Sequence, residues 1–191
     1  MEFNLTDHLE TRYFRISLYS GASINDDTLT VILWNLSGSP VGYQSYSPLL
    51  PKRAKNPKEA KYFTYVTEGA LAVFGLESLQ LGDSFVFVCE GIFDAARLHS
   101  WGIPAIAVLG SNPLHLVSWL NTLPQTTISA VQGDQAGLML SLLTDKAVFL
   151  PAGEDVSSLS SADFQKFFSP YTSAQNIGFN QYSCNIQSLI V

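Results

Sequence analysis

Four short apolar segments alternate with amphipathic segments between residues 85 and 150. The apolar segments are Phe85–Cys89, Ala105–Leu109, Thr127–Val131 and Ala147–Leu150. The segments that separate them, 92–101, 115–123 and 135–143, have the spacing of apolar residues that is typical of helices. Strands that are apolar on both faces and alternate with helices of about ten residues predict a parallel sheet. We therefore expect an α/β fold in which helices flank this sheet.

The first 80 residues have a different pattern, which predicts a small β-rich (α+β) subdomain. Polar and apolar residues alternate over residues 28–48 and are interrupted by Ser37-Gly38-Ser39-Pro40, which predicts a β-hairpin. Residues 62–66 are a further candidate strand, and residues 1–25 are a helical or irregular lead-in. We expect three parts: the β-rich subdomain (1–80), the α/β domain (81–165) and a C-terminal tail (166–191) that packs on the domain or on a partner.

Composition indicates a folded protein without a cysteine-based metal site. Hydrophobic residues make up 47% of the 191 residues and charged residues 14%, which supplies a core and argues against extensive disorder. The two cysteines, Cys89 and Cys184, lack the spacing of zinc ligands, so we expect reduced thiols and no zinc. The N-terminus has no basic-then-apolar signal, and no apolar run approaches the roughly 18 residues of a membrane span. A cytoplasmic protein without membrane contact is the resulting expectation.

Charge is distributed unevenly along the chain. The net charge is −6, yet residues 1–61 carry seven Lys and Arg against six Asp and Glu. Five of these basic residues lie within ten positions and form a basic strip: Lys52, Arg53, Lys55, Lys58 and Lys61. The strip could follow the phosphates of a nucleic acid, and the alternative is a solvated surface loop. An acidic body with one basic strip is able to hold cations in one place and a polyanion in another.

Carboxylates follow two of the predicted parallel strands. Glu90 comes directly after Phe85–Cys89, Asp94 lies four residues later, and Asp134 follows the third strand. Because the carboxyl ends of parallel strands meet at one edge, where such sheets bind ligands, these side chains could converge on one small volume. Oxygen ligands of this kind suit Mg²⁺ or Mn²⁺. The alternative for each residue alone is structural: Asp94 as a helix cap and Asp134 as a turn residue beside Gly133.

Four short motifs, in order along residues 29–165, carry a resemblance to a known family. The stretch EGIFDAARLHSWGIPAIAVLG (90–110) resembles the first toprim motif, and AVQGDQAGL (130–138) resembles the second, which usually reads Asp-x-Asp-x-Ala-Gly. The stretch VFLPAGEDVSSL (148–159) is similar to a primase segment, Leu-Pro-x-Gly-x-Asp-Pro. Upstream, the hairpin, the basic strip and Lys61-Tyr62 resemble the N-terminal subdomain of primase catalytic cores. The chain is thus similar to toprim-domain proteins, and among them to the RNA polymerase domain of bacterial and phage DNA primases.

This resemblance implies a role for each matching residue. Glu90 would be the toprim glutamate, a general acid or base beside the metal, and Asp134 would be a catalytic metal ligand. Asp94 would be an auxiliary ligand, and Asp155 matches an acidic position near the metals. Lys61 matches a lysine that is expected near template or nucleotide phosphates. The implied cofactor is Mg²⁺ or Mn²⁺.

The chain departs from the family pattern at positions that bear on activity. Gln132 stands where the family has the first aspartate of Asp-x-Asp, and its neutral amide oxygen adds no charge to offset a cation. A weaker metal site is therefore expected. Val156 replaces a usual proline, and Leu138 replaces a frequent arginine. Two cysteines cannot build the zinc module with which full-length primases read template.

The resemblance favours metal-dependent nucleotidyl transfer that makes RNA primers on single-stranded DNA during bacterial or phage DNA replication. Single-stranded DNA and nucleoside triphosphates are the expected ligands, and a helicase or another replication protein is the expected partner. One alternative is a small toprim nuclease, but the hairpin and Lys61-Tyr62 favour a primase over it. The other is a non-catalytic toprim module that binds nucleic acid or a replication protein, which Gln132 and the net charge of −6 favour.

Overall fold

A computed structural model describes residues 3–80, 83–110 and 113–172, and within these ranges the backbone forms two four-stranded sheets. The strands are β1 Ala22–Asn25, β2 Thr28–Trp34, β3 Pro40–Tyr46, β4 Tyr62–Val66, β5 Phe85–Cys89, β6 Ala105–Ala107, β7 Thr126–Val131 and β8 Lys146–Phe149. The α-helices are α1 Leu5–Thr11, α2 Ile92–His99, α3 Val117–Leu120, α4 Gln135–Ser141 and α5 Ser161–Phe168. Among these helices, none has the length and hydropathy that a membrane span requires.

The first sheet is antiparallel and confirms the predicted hairpin. Its strands follow the order β1-β2-β3-β4, and β2 pairs with β3 across a turn in which Gly38 has a φ of 70°. Side chains of β2 alternate between the core and the outer face, with Leu29, Val31 and Leu33 fully buried. The basic strip lies in the connection between β3 and β4, and its last residue, Lys61, directly precedes β4.

The second sheet is parallel and confirms the predicted fold class. Its order is β6-β5-β7-β8, so β5 and β7 are central strands that neighbours cover on both edges. Helix α2 packs on β5 and β6, and helix α4 packs on β7. The helix predicted over 115–123 is shorter than expected, because a 3-10 turn at Pro113–Leu116 precedes the single α-helical turn of α3.

Two consecutive residues connect the sheets. Val73 exchanges backbone hydrogen bonds with Trp34 at the end of β2, at 2.9 and 3.0 Å. Phe74 exchanges them with Ala107 at the end of β6, at 3.1 and 2.9 Å. A 3-10 turn at Leu76–Ser78 follows this pair of residues. One apolar core contains buried side chains from both sheets.

Helix α2 is fixed to β6 and to the N-terminal region through a buried histidine. The Tyr19 hydroxyl donates to His99 Nδ1 at 2.9 Å, and His99 Nε2 donates to the Ala105 carbonyl at 2.8 Å. Since a carbonyl only accepts, Nε2 carries the proton. Burial lowers the pKa of His99 to about 4, so the ring is neutral at physiological pH.

Helix α5 was not predicted from the sequence. Its Phe164 and Phe168 are fully buried, and the Phe168 ring lies 5.4 Å from that of Phe87 in β5, so α5 packs on the parallel sheet. The predicted boundary between residues 165 and 166 falls inside this helix. The tail expected over 166–191 lies from residue 173 onward outside the described residues, and so does Cys184. Cys89 is a buried free thiol.

Candidate active site

Both sheets contribute to a cleft of about 510 Å³. The parallel sheet supplies residues that follow its strands: Glu90, Gly91, Asp94, Gly110, Gln132, Leu150 and Asp155. The antiparallel sheet supplies Gln44 from β3 and Tyr62 and Thr64 from β4, while Arg12 and Lys52 come from segments outside the strands. The cleft therefore lies at the carboxyl edge of the parallel sheet, where the sequence predicted ligand binding.

Glu90 is the first residue after β5 and lines the cleft. Its backbone carbonyl accepts a hydrogen bond of 2.9 Å from the Leu109 amide, which fixes the chain at the point where β5 ends. Partial burial raises the pKa of the Glu90 carboxyl group, and the negative charges of Asp134 and Asp155 raise it further. A carboxylate that is crowded by two others in this way is stabilised by any cation that enters the cleft.

Asp94 lies in the first turn of α2 and is the most strongly perturbed carboxyl group of the cleft. Its Oδ1 accepts the Ser157 amide at 2.9 Å, and the backbone of Gly91 also donates to the carboxyl group. Burial and the charge of Asp155 raise its pKa to about 7, although the two amides and Arg12 act in the opposite direction. The group therefore changes its charge near neutral pH.

Asp155 lines the cleft from the segment after β8. Its Oδ1 accepts the Ser157 hydroxyl at 2.8 Å and the Ser158 amide at 2.7 Å. Because Ser157 also donates its amide to Asp94, one serine connects the two carboxylates. Residues 155–158 and the start of α2 thus form a single hydrogen-bonded unit.

Asp134 occupies a different position from the other predicted acids. It is the exposed N-cap of α4, where its Oδ1 accepts the Gly137 amide at 2.8 Å, and it is not among the residues that line the cleft. Gln132, two residues earlier, does line it. Gly137 is required here because a Cβ atom would overlap the Gln132 carbonyl oxygen and contact Asp134 Oδ1.

The predicted cation has suitable ligands but no preformed cluster. Within residues 3–80, 83–110 and 113–172, no three His, Cys, Asp or Glu side chains are grouped to hold a metal ion. Mg²⁺ is commonly bound through one or two carboxylates, with water and substrate phosphates completing its octahedron. The carboxylates of Glu90, Asp94 and Asp155 in the cleft fit a cation that is bound in this way.

Only one residue of the basic strip lines the cleft. Lys52 does so, whereas Arg53, Lys55 and Lys58 are exposed along the loop between β3 and β4. Lys61 lies beside the cleft, with its Nζ 5.7 Å from the centroid of the Tyr46 ring.

Arg12 is a cleft residue that the sequence analysis missed. Its guanidinium carbon lies 3.8 Å from the centroid of the Phe93 ring. Its nitrogens donate to three neutral hydroxyl groups, those of Tyr46, Tyr62 and Ser157, at 3.3 to 3.4 Å. None of these acceptors carries a negative charge that would neutralise the guanidinium. Its positive charge can therefore attract a bound anion. No sequence signal distinguishes Arg12 from an ordinary basic residue at the end of a short helix.

Comparisons with known proteins identify structural neighbours. No protein-family model matches the chain, and no curated protein sequence matches it. The E. coli primase catalytic core superposes with a TM-score of 0.59 at 17% identity, over 87% of this chain and 59% of that one. A DnaG primase catalytic domain bound to single-stranded DNA gives 0.57 at 19% identity, over 82% and 58%. The primase fragment of the bacteriophage T7 primase-helicase protein gives 0.56 at 14%, over 78% and 64%.

The chain spans about three fifths of the length of these primase structures. At such identities the likeness is one of fold. This fold combines an antiparallel sheet with a parallel sheet, which is the combination that the sequence motifs predicted. The chain therefore has the fold of a DNA primase catalytic core.

Proposed function

We propose that this protein is a primase-like nucleotidyltransferase that joins ribonucleotides into short primers on single-stranded DNA. The observation that supports it best is the polarity of the cleft. Carboxylates from the ends of the parallel strands line one side, and Arg12 and Lys52, from the N-terminal part, contribute positive charge. A nucleoside triphosphate with its divalent cation requires this combination, because the phosphates bind arginine and lysine while the cation binds carboxylates.

Arg12 and Lys52 would hold the triphosphate, and Glu90, Asp94 and Asp155 would hold Mg²⁺ or Mn²⁺, with Asp134 nearby. When bound, the cation would offset the negative charge that develops on the transferred phosphoryl group. Burial raises the pKa values of Glu90 and Asp94, and the charge of Asp155 raises both further, so a cation in the cleft would be stabilised by these carboxylates.

Glu90 would act as the general base. Partial burial and the charges of Asp134 and Asp155 raise the pKa of Glu90, which makes its carboxylate a stronger base. In the proposed reaction, the 3′-hydroxyl of the growing primer transfers its proton to the Glu90 carboxylate as its oxygen bonds to the α-phosphorus, and pyrophosphate leaves. The Gln44 side chain, which donates to the Thr64 hydroxyl at 2.7 Å, would form part of the opposite wall.

Apart from Lys52, the basic strip would hold the template strand. Arg53, Lys55 and Lys58 are exposed, Lys52 reaches the cleft, and Lys61 lies beside it. A backbone that is bound by such a row of cations dissociates as salt concentration rises. The DnaG structure with single-stranded DNA supports a template of this kind. A helicase or another replication protein would supply loading onto DNA in a bacterial or phage-infected cell.

A primer-synthesis assay tests the proposal. The protein is incubated with single-stranded DNA and labelled ribonucleotides in Mg²⁺ or Mn²⁺, beside Glu90→Gln and the exposed-surface control Glu68→Gln. We expect short labelled products from the wild type and from Glu68→Gln, and none from Glu90→Gln. Shortening of the input DNA without labelled product would indicate a nuclease instead.

A non-catalytic module that binds nucleic acid is the second candidate. Gln132 favours it, since this neutral side chain lines the cleft where an aspartate would add charge, while Asp134 caps α4. Binding of single-stranded DNA that weakens with salt, without labelled product in either metal, would support this candidate and contradict the first.

A further inference from the structure

Arg97 is a buried cation beneath the cleft. It lies in the last turn of α2, is 2% exposed and belongs to the largest fully buried side chains of the described chain. Its guanidinium carbon lies 4.4 Å from the Tyr13 ring centroid and 4.6 Å from that of Phe164. Removal of a charge from water costs several kcal/mol unless hydrogen bonds compensate. A side chain buried at such a cost needs a specific set of partners.

Those partners all belong to one short segment. Arg97 Nη1 donates to the carbonyl oxygens of Val156 at 3.1 Å, Ser157 at 3.1 Å and Leu159 at 2.6 Å. Its Nη2 makes a longer contact of 3.5 Å with the Ser160 carbonyl. The acceptors are main-chain oxygens, so Arg97 holds the path of the backbone over residues 156–160 and makes no hydrogen bond to the side chains of these residues.

Helix α2 holds this segment at two points that are one turn apart. Asp94 accepts the Ser157 amide at 2.9 Å, and Arg97 donates to the Ser157 carbonyl at 3.1 Å. Ser157 is therefore bound on both of its backbone groups by side chains of the same helix. On its cleft side, Ser157 donates to Asp155 and accepts from Arg12.

We propose that Arg97 is a positioning residue that places Asp155 and Ser157 at the cleft. Val156 lies within residues 156–160. The φ angle of a valine can rotate, whereas a proline ring would fix it. The carbonyl contacts of Arg97 supply that restraint instead. The consequence for ligand binding rests on the proposed function, because it assumes that Asp155 helps to hold a nucleotide with its cation.

Amide hydrogen exchange tests the clamp without reference to activity. Exchange at the Ser157 and Ser158 amides is compared with that at Ile128 and Val131 in β7, by NMR of the full chain. Arg97→Met is tested beside Arg97→Lys, which keeps the charge, and beside Lys166→Met, which removes an exposed cation from α5. We expect the two serine amides to exchange at least about tenfold faster in Arg97→Met while β7 does not change. Arg97→Lys should recover part of the protection, and Lys166→Met should match the wild type.

Binding of Mn²⁺ with ATP, measured by calorimetry, tests the consequence. Residues that orient a metal ligand typically contribute about tenfold or more to metal affinity, so Arg97→Met should weaken binding by at least this factor. Where Arg97→Met does not fold, Arg97→Lys serves for both measurements.

The inference is overturned if exchange rises equally at the serine amides and in β7, since Arg97 would then stabilise only the fold as a whole. It is also overturned if the segment loosens while Mn²⁺ and ATP bind as before. A wild type that binds neither Mn²⁺ nor ATP refutes the proposed function, and in that case the exchange experiment alone decides whether Arg97 is a clamp.

Discussion

The guanidinium of Arg12 stacks on the ring of Phe93, with 3.8 Å between the guanidinium carbon and the ring centroid. Phe93 directly precedes Asp94 in α2, so this contact brings a cation from the N-terminal segment to the acidic end of the parallel sheet. Two regions that are about 80 residues apart in sequence thereby meet in one cleft.

Replacement of Arg12 should weaken nucleotide binding. Arg12→Met removes the charge and should raise the dissociation constant of ATP by about tenfold or more, because charge-assisted bonds to phosphate are the strong ones. Arg12→Lys keeps a charge but loses the planar stack on Phe93, so it should lie in between. Calorimetry with ATP and Mn²⁺ measures the change, and the exposed Arg15→Met is the matched control. Equal affinities for Arg12→Met and Arg15→Met would contradict the role assigned to Arg12.

Replacement of Gln132 by aspartate should strengthen cation binding. The change adds one negative charge to a cleft that already contains Glu90 and Asp155, and hard cations respond to the charge count of their ligands. We expect Mn²⁺ affinity to increase by about tenfold, as measured by electron paramagnetic resonance of free Mn²⁺. Gln135→Asp adds the same charge at an exposed position of α4 and should have little effect. An unchanged affinity in Gln132→Asp would indicate a cleft with a purpose other than metal binding.

A methyl group at Gly137 should destabilise the fold. The new Cβ would overlap the Gln132 carbonyl oxygen, which is backbone and cannot move away without a shift of α4. We expect Gly137→Ala to lower the free energy of unfolding by about 2 kcal/mol or more, whereas Gly133→Ala, which meets nothing within 4 Å, should be nearly neutral. Urea denaturation measures both, and equal stabilities would show that the helix accommodates the methyl group.

Asp94 should make the protein less stable as pH rises toward 7. Its pKa is about 7 in the folded state against an ordinary value of 3.8, so between these values the folded chain keeps a proton that the unfolded chain releases. The free energy of unfolding falls across this window, by an upper bound of about 4 kcal/mol. Asp94→Asn removes this titration while keeping an acceptor for the Ser157 amide. Urea denaturation from pH 4 to pH 8 should show the variant gaining on the wild type as pH increases, and a constant difference would refute the assignment.

His99 should have the opposite effect. Its pKa is about 4 when folded and 6.5 ordinarily, so below pH 6.5 the unfolded chain takes up a proton that the folded chain excludes. Stability is then lost as pH falls from 6.5 to about 4, by about 3 kcal/mol. His99→Gln keeps a donor for the Ala105 carbonyl without a titrating ring, so the loss of stability in acid that His99 causes should disappear and the effect of Asp94 should remain. The windows of His99 and Asp94 overlap, so the wild type should show a flatter profile than either variant; a steeper wild-type profile would contradict both assignments.

The sequence predicted the parts of the fold that local patterns determine. The unit from β5 to α2 has a continuous apolar strand and a helical repeat; the strand was predicted with the bounds it has, and the helix was predicted two residues too long at its C-terminal end. Helix α5 escaped prediction because its buried side chains, Phe164 and Phe168, lie in a segment of only eight residues, half of which are polar. Packing on Phe87 stabilises α5, and the helix propensities of its residues do not reflect this tertiary contact.

The sequence predicted only those cleft residues whose position directly after a strand determines where they lie in the fold. Glu90 and Asp155 follow strands, and the ends of parallel strands meet by geometry. Arg12 and Arg97 depend on contacts over long sequence separations, and an isolated arginine in a helical pattern is ordinarily a surface residue. Asp134 follows β7 as predicted, yet its carboxylate caps α4, which a sequence pattern cannot distinguish from a ligand position.

The pairing of Val73 with Trp34 and of Phe74 with Ala107 has a consequence for the motion of the molecule. Four backbone hydrogen bonds at two adjacent residues oppose a motion between the sheets that would widen the cleft. We therefore expect the cleft to have the same width with and without its ligands, so that no binding free energy is spent on domain closure. Ligands would associate at a rate set by diffusion and charge, and the slowest step of a catalytic cycle would be sought in chemistry or in the sliding of the nucleic acid.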